Sequence, residues 1–335
     1  VPSFQLSPGV IVDPDRREAY VMNPEGGIDA VDLAEGTSVW HSGDADKPLT
    51  VAETLLIGQA EAPGPANALR VVTLDTSREG ALVSEALVDL PTGVQPMIAP
   101  SSNRSFTASA RAEPDGAVVS WEFVEQPARG VAEGPMEVLP GEAPPAVSAA
   151  TPPVIGPGGV AAGAMDAQEP GGEATVVRGA VRVDPLSGTV LAAEAPDVPA
   201  PGPPLVSAGD SAPASDLEPD AALPGVPQPQ FLSADGRHVL SSTRIANDPD
   251  WEKYLWTVFE RDSGRRVGEL RMHLRYVPFL VDGTRVVFQT PPNVRLQGDR
   301  LQEEPVLLRA VDLSNGTPVW SQPVRDTVDR QPPPP

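Results

Sequence analysis

Residues 30–40 read Ala-Val-Asp-Leu-Ala-Glu-Gly-Thr-Ser-Val-Trp, and residues 310–320 read Ala-Val-Asp-Leu-Ser-Asn-Gly-Thr-Pro-Val-Trp. The two stretches differ only where Ala34, Glu35 and Ser38 are replaced by Ser314, Asn315 and Pro318. Each is a strand, a turn and a strand. Alternating apolar residues fit a pleated, half-buried surface. The aspartate bonds its own backbone in the turn, and the glycine accepts positive φ. Weaker copies run over 181–191 (Val-Arg-Val-Asp-Pro-Leu-Ser-Gly-Thr-Val-Leu) and 258–268 (Val-Phe-Glu-Arg-Asp-Ser-Gly-Arg-Arg-Val-Gly), and 71–83 keeps the shape without the consensus.

A second hairpin precedes most copies. Asp13-Pro14-Asp15 turns the stretch Gly9–Asn23, Ala234-Asp235-Gly236 turns Phe231–Thr243, and Val281-Asp282-Gly283 turns Phe279–Thr290. Two hairpins in succession make four antiparallel strands. Such units fall at 8–43, 47–90, 96–140, 149–196, 228–273 and 277–322, with the third and fourth the least well marked. A period near 45 residues is that of propeller blades. The expectation is one all-β domain, a β-propeller of six four-stranded blades. The segment 197–227, rich in proline and alanine, is a surface connection or a degenerate seventh blade, and 323–335 is a proline-rich tail. Near-identity of the first and last copies favours a ring over a sandwich or two separate β domains, because in a ring those copies are neighbours.

Composition bounds the chemistry. Across 335 residues the formal charge is −22, which opposes phosphate backbones and anionic lipid surfaces, so nucleic acid is not an expected partner. There is no cysteine, which removes disulfides, thiolate nucleophiles and Cys-ligated metals. No apolar run reaches the length of a membrane-spanning helix. Lysine occurs only as Lys47 and Lys253, so arginine carries the positive charge. The chain starts Val1-Pro2-Ser3-Phe4, without a methionine. A processed, extracytoplasmic form is the expectation.

The pattern Val-Asp-Leu-x-x-Gly-Thr-x-Val-Trp at 31–40 and 311–320 resembles the repeat of the PQQ-like, quinoprotein-type β-propellers. The resemblance implies that Trp40 and Trp320 dock between neighbouring blades. That superfamily holds enzymes, assembly factors and scaffolds, so the likeness speaks to fold more than to function. The vicinal cysteine pair carried by many quinoprotein dehydrogenases has no counterpart here, and no cofactor calcium set is identifiable. No cofactor is expected.

In the propeller reading, connections between second and third strands and those between blades line one face. His41, Arg244, Trp251, Tyr254, Arg271 and His273 are the candidate binding residues of that face, while His238 belongs to the other. Trp251, Tyr254 and Trp256 also alternate as strand residues, some of them core. The pairs Asp44/Asp46 and Asp248/Asp250 are weak calcium candidates, since Asp-x-Asp begins a calcium loop but none continues with its glycine and distal glutamate. No nucleophile elbow, phosphate loop or dinucleotide fingerprint is present. The expected role is a non-catalytic scaffold binding other proteins in an extracytoplasmic bacterial assembly. The alternatives are a polysaccharide hydrolase or lyase or a quinoprotein relative using arginines such as Arg244, Arg271 and Arg275, and a calcium-dependent carbohydrate binder. Each would take a small-molecule or glycan ligand in the central funnel.

Overall fold

A computed structural model describes residues 4–7, 9–61, 67–98, 101, 103–126, 174–193, 223–227, 229–233, 236–245, 254–272, 279–290, 293–297 and 300–325. Sheet I holds β1 (Phe4–Ser7), β2 (Val10–Asp13), β3 (Glu18–Met22), β4 (Ile28–Asp32) and β5 (Ser38–Ser42) in that order. Sheet II holds β6 (Lys47–Ala52), β7 (Leu55–Ala60), β8 (Ala68–Asp75) and β9 (Ala81–Asp89). Sheet III holds β10 (Arg104–Glu113), β11 (Gly116–Glu125), β12 (Thr175–Val183) and β13 (Val190–Ala193). Sheet IV holds β14 (Gln230–Leu232), β15 (His238–Arg244), β16 (Tyr254–Glu260) and β17 (Arg266–Met272). The last strands are β18 (Phe279–Asp282), β19 (Arg285–Thr290), β20 (Asn293–Gln297), β21 (Arg300–Glu304), β22 (Val306–Asp312) and β23 (Thr317–Val324). Sheet V is β18-β19-β22-β23, and β20 and β21 form a separate hairpin inserted between its second and third strands. All the pairings are antiparallel. The described helix is one 3-10 turn, Thr76–Arg78.

The fold is a β-propeller of antiparallel blades, with five sheets of four or five strands among the described residues where the sequence marks six units. The hairpins of the third and fourth units share one sheet: β11 pairs with β12 in unbroken register from Ala117↔Val183 to Glu125↔Thr175. Among the described residues each of those units supplies two strands to that sheet. Residues 194–222, which cover most of the proposed connection or seventh blade, lie outside the described residues, as does the tail from 326.

Between the third and fourth strands of the blades the turn forms as its sequence dictates. Asp32 Oδ1 accepts from the amides of Ala34 and Glu35, both at 2.7 Å. Asp184 accepts from Leu186 N at 2.9 Å and Asp312 from Ser314 N at 2.9 Å. The glycine of each turn returns a bond, as in Gly36 N to Asp32 O at 2.7 Å.

These turns also join the blades. The fourth strand of one blade presses on the turn of the next. Trp40 lies against Gly80 and Trp320 against Gly36, so close that a β-carbon on either glycine would fall inside the indole's contact distance. Ser84 Oγ donates to Pro185 O at 2.7 Å at the same place between sheets II and III. At sheets IV and V, Gly268 lies where a β-carbon would meet Leu313. The apolar core is divided accordingly. One cluster joins I to II through Ile11, Tyr20, Trp40, Leu56 and Leu74. Another joins II to III through Ile57, Leu69, Val119 and Trp121. A third joins IV to V through Phe231, Trp256, Val286 and Leu313.

The decisive cluster joins V to I: Val10, Val12, Val21 and Leu33 pack with Val287, Leu308, Ala310 and Val324. Polar contacts cross the same seam, including Trp320 Nε1 to Leu33 O at 3.2 Å and Arg285 Nη1 to Ala34 O at 2.6 Å. First and last repeats are therefore side by side. Each fully buried Leu, Ile or Val contributes about 1.5–3 kcal/mol. The exposed Arg17–Asp282 pair across the seam, at 2.7 Å, contributes at most about 1 kcal/mol, so apolar packing closes the ring.

Sheet I departs from the four-stranded plan. β1 pairs on the free edge of the first blade strand β2, with a register shift between Gln5 and Ser7. Its backbone also lies against β6 and β19. The chain's own N-terminal strand thus takes up the inner edge shared by sheets I, II and V.

Candidate functional site

At the end of the sheets where second strands pass to third strands, sheet I carries a polar group on β4 and β5. His41 and Asp29 are cross-strand partners, which places their side chains on one face. His41 Nδ1 and Asp29 Oδ1 are 2.7 Å apart, and Asn23 Nδ2 donates to Asp29 Oδ2 at 2.8 Å. The histidine side chain is 52% exposed. Gly27, with φ +81°, approaches so closely that a β-carbon would meet Ser42 O and the His41 ring. With Nδ1 engaged, Nε2 is the ring nitrogen left for any outside contact.

Asp46 follows in the passage to sheet II. Its carboxylate accepts from Glu61 N at 2.9 Å and Gly27 N at 3.5 Å, and Arg325 Nη1 stands 4.0 Å away. Asp46 therefore fastens the connection between sheets I and II to backbone amides. Asp44 lies beside it, its amide donating to Ser42 Oγ at 3.5 Å. Among the described residues no three His, Cys, Asp or Glu side chains are grouped to hold a metal ion.

The sheet IV candidates lie at the corresponding end of their own strands. Arg244 pairs in register with Tyr254, and Leu255 with Arg271. Arg244 and Arg271 are exposed. Tyr254 is 7% exposed and belongs to the cluster between sheets IV and V, so its ring is a core element there. Trp256 is core as well, its ring centroid 5.6 Å from that of Phe231. Trp251, His273, Asp248, Asp250 and Arg275 lie outside the described residues. His41 and Asp46 thus both border Gly27, at sheets I and II, while Arg244 and Arg271 lie on sheet IV.

Two features escape a reading by motif. Lys47 opens β6 and is only 5% exposed. Its cross-strand partner is Gln59, 1% exposed, whose Oε1 has no hydrogen-bond partner. The same row continues through Val71 to Ala86, members of the cluster between sheets II and III. Among the described residues no carboxylate pairs with Lys47. Burial in this apolar setting pulls its amine down from 10.5 to about 8, because desolvation disfavours the charged form. Its one sequence signal is being a lysine in a chain that otherwise uses arginine.

The second feature is apolar. Leu82 and Leu87 on β9, Val176 on β12, and Leu186, Val190 and Leu191 around the turn into β13 are all 40% exposed or more. The bond from Ser84 to Pro185 holds Leu186 next to β9. Leu82 and Leu87 pair in register with Leu74 and Arg70, on the face of sheet II turned toward sheet I, while the other four side chains belong to sheet III. At the end of the sheets away from His41, a cleft of about 200 Å³ opens at the seam between Arg17, Asp282, Arg285 and Asp312. Asp312 is held below the usual carboxylate range, first by the Ser314 amide and also by Arg285.

No family model matches the chain, and no curated protein matches it. Solved structures give distant likenesses. One is a computationally designed protein, Ika8, at 10% identity and TM-score 0.22, covering 95% of this chain and 76% of that one. Another is a europium-containing methanol dehydrogenase at 13% and 0.24, covering 94% and 68%. The dihydro-heme d1 dehydrogenase NirN aligns at 16% and 0.23, covering 96% of this chain and 47% of NirN. The fold assignment rests on the sheets themselves and on the seam between V and I.

Proposed function

We propose that this propeller is a non-catalytic scaffold that binds another protein through the outer strands of sheets II and III, within an extracytoplasmic bacterial assembly. The observation that carries the reading is the exposure of large apolar side chains there. Six of the eight large apolar side chains exposed among the described residues lie on sheets II and III. Large apolar side chains exposed in numbers on one part of a protein mark a protein contact. The repeat's likeness to the PQQ-like propellers, which include assembly factors, supports the extracytoplasmic setting.

The test is affinity capture from the native source with the wild-type chain and with a Leu186→Asp/Leu191→Asp variant, followed by measurement of affinity for the protein recovered. The reading expects one partner at defined stoichiometry that the variant loses. Equal capture by both chains would refute it.

A further inference from the structure

Lys47 and Gln59 stand opposite each other on the first two strands of sheet II. Side chains paired in this way share one face, with β-carbons about 4.5–5.5 Å apart. β6 is the inner strand of its sheet and lies against β1, β2, β3 and β10. Both residues are buried, at 5% and 1% exposure. Their row runs on into Val71 and Ala86, which belong to the apolar cluster between sheets II and III. Two long polar side chains therefore enter one apolar seam together.

Neither is satisfied by the protein around it. Gln59 Oε1 has no hydrogen-bond partner. Burial is the one influence on the Lys47 amine, which no carboxylate or hydrogen bond holds among the described residues. In native structures buried polar groups are met by a partner in the great majority of cases, from protein or from ordered water.

What the two groups lack is complementary. An ammonium has only protons to give, and an amide oxygen has only lone pairs to offer. An anion would suit Lys47 and be repelled by Gln59 Oε1. A metal ion would suit Gln59 Oε1 and be repelled by Lys47. The species that suits both is small and neutral, accepts one hydrogen bond and donates another, as a buried water does.

We propose that an ordered water is bound between Lys47 Nζ and Gln59 Oε1, accepting from the first and donating to the second, as a fixed part of the seam between sheets II and III. It returns to the amine part of the solvation that burial removes, and it joins β6 to β7 through side chains as well as main chain. A guanidinium is broader and holds its five donors in a rigid fork. The bridge thus gives a reason for lysine at position 47 in a chain whose only other lysine is Lys253.

Oxygen-17 magnetic relaxation dispersion counts the waters that stay with a protein longer than it takes to tumble. It is applied to the wild-type chain, Lys47→Met, Gln59→Met and the double variant, each shown to be folded by its urea transition. Both single variants should lose one long-lived water. The double variant should lose no more than either, because one molecule serves both groups. Val319→Lys, at an exposed position of sheet V, should leave the count unchanged. A crystal structure of the wild-type chain should show the water at about 2.7–3.2 Å from both atoms. A count unchanged in either single variant, a further loss in the double variant, or a direct bond from Lys47 Nζ to Gln59 Oε1 would overturn the bridge. Should Gln59→Met fail to fold, Lys47→Met and the crystal structure still decide.

Discussion

Replacing Lys47 by methionine should make the protein more stable at neutral pH. Lys47 is 5% exposed and its row of side chains runs into the apolar seam between sheets II and III, so its proton costs free energy in the folded chain that it does not cost in the unfolded one. Its pKa is about 8 when folded against an ordinary 10.5. Between those values the unfolded chain binds more protons, so stability rises with pH across the window and is lowest, by the full amount, below it. At 1.36 kcal/mol per unit the penalty is about 3 kcal/mol. Methionine keeps an unbranched side chain of similar length without the charge, and near-isosteric changes usually cost less than about 1.5 kcal/mol. Urea unfolding of wild type and Lys47→Met at about pH 7 and about pH 10 measures the effect. The variant should be more stable at the lower pH and close to wild type at the higher. Lys47→Arg, which cannot shed its proton, should be destabilised at both. Equal stabilities of wild type and Lys47→Met at neutral pH, with no rise in the wild type toward alkaline pH, would refute the argument.

Gly36 and Gly264 both have positive φ, near +70° and +65°, but a β-carbon at Gly36 meets the Trp320 ring while one at Gly264 meets nothing. Gly264→Ala should cost about 1–2 kcal/mol from backbone strain alone, and Gly36→Ala distinctly more, read by thermal unfolding. The Asp184 carboxyl is held below its usual range first by Ser187 Oγ, at 2.6 Å, and then by the Leu186 amide. Its contribution is present above the ordinary 3.8 and is lost as pH falls through the lower folded value. Asp184→Asn should therefore flatten the acid limb of a stability-against-pH profile.

How far the sequence reads true depends on whether the signal is local. The Asp32 and Asp312 turns and the glycines at positive φ follow from short-range chemistry, the docking of Trp40 and Trp320 is implied by the likeness to PQQ-like repeats, and the structure shows each of them. The merging of β10–β11 with β12–β13 into one sheet depends on a pairing across roughly fifty residues, where repeat spacing is a poor guide. Phe4–Ser7 carries no blade signature, so its place on the inner edge of β2 is invisible without the ring. His41 is legible as an exposed histidine, but its pairing with Asp29 comes from strand register. Lys47 and the exposed leucines have no motif at all: burial marks the first and exposure the second.

The central claim is that the circle closes by sheet V meeting sheet I. Because the chain has no cysteine, nitroxide labels at Ala34→Cys and Asp282→Cys report one distance by double electron–electron resonance. Both positions border the same cleft, so the distribution should crowd at the short limit of the method. A separation near the width of a chain this size, about 40 Å, would mean that the two ends of the repeat never meet.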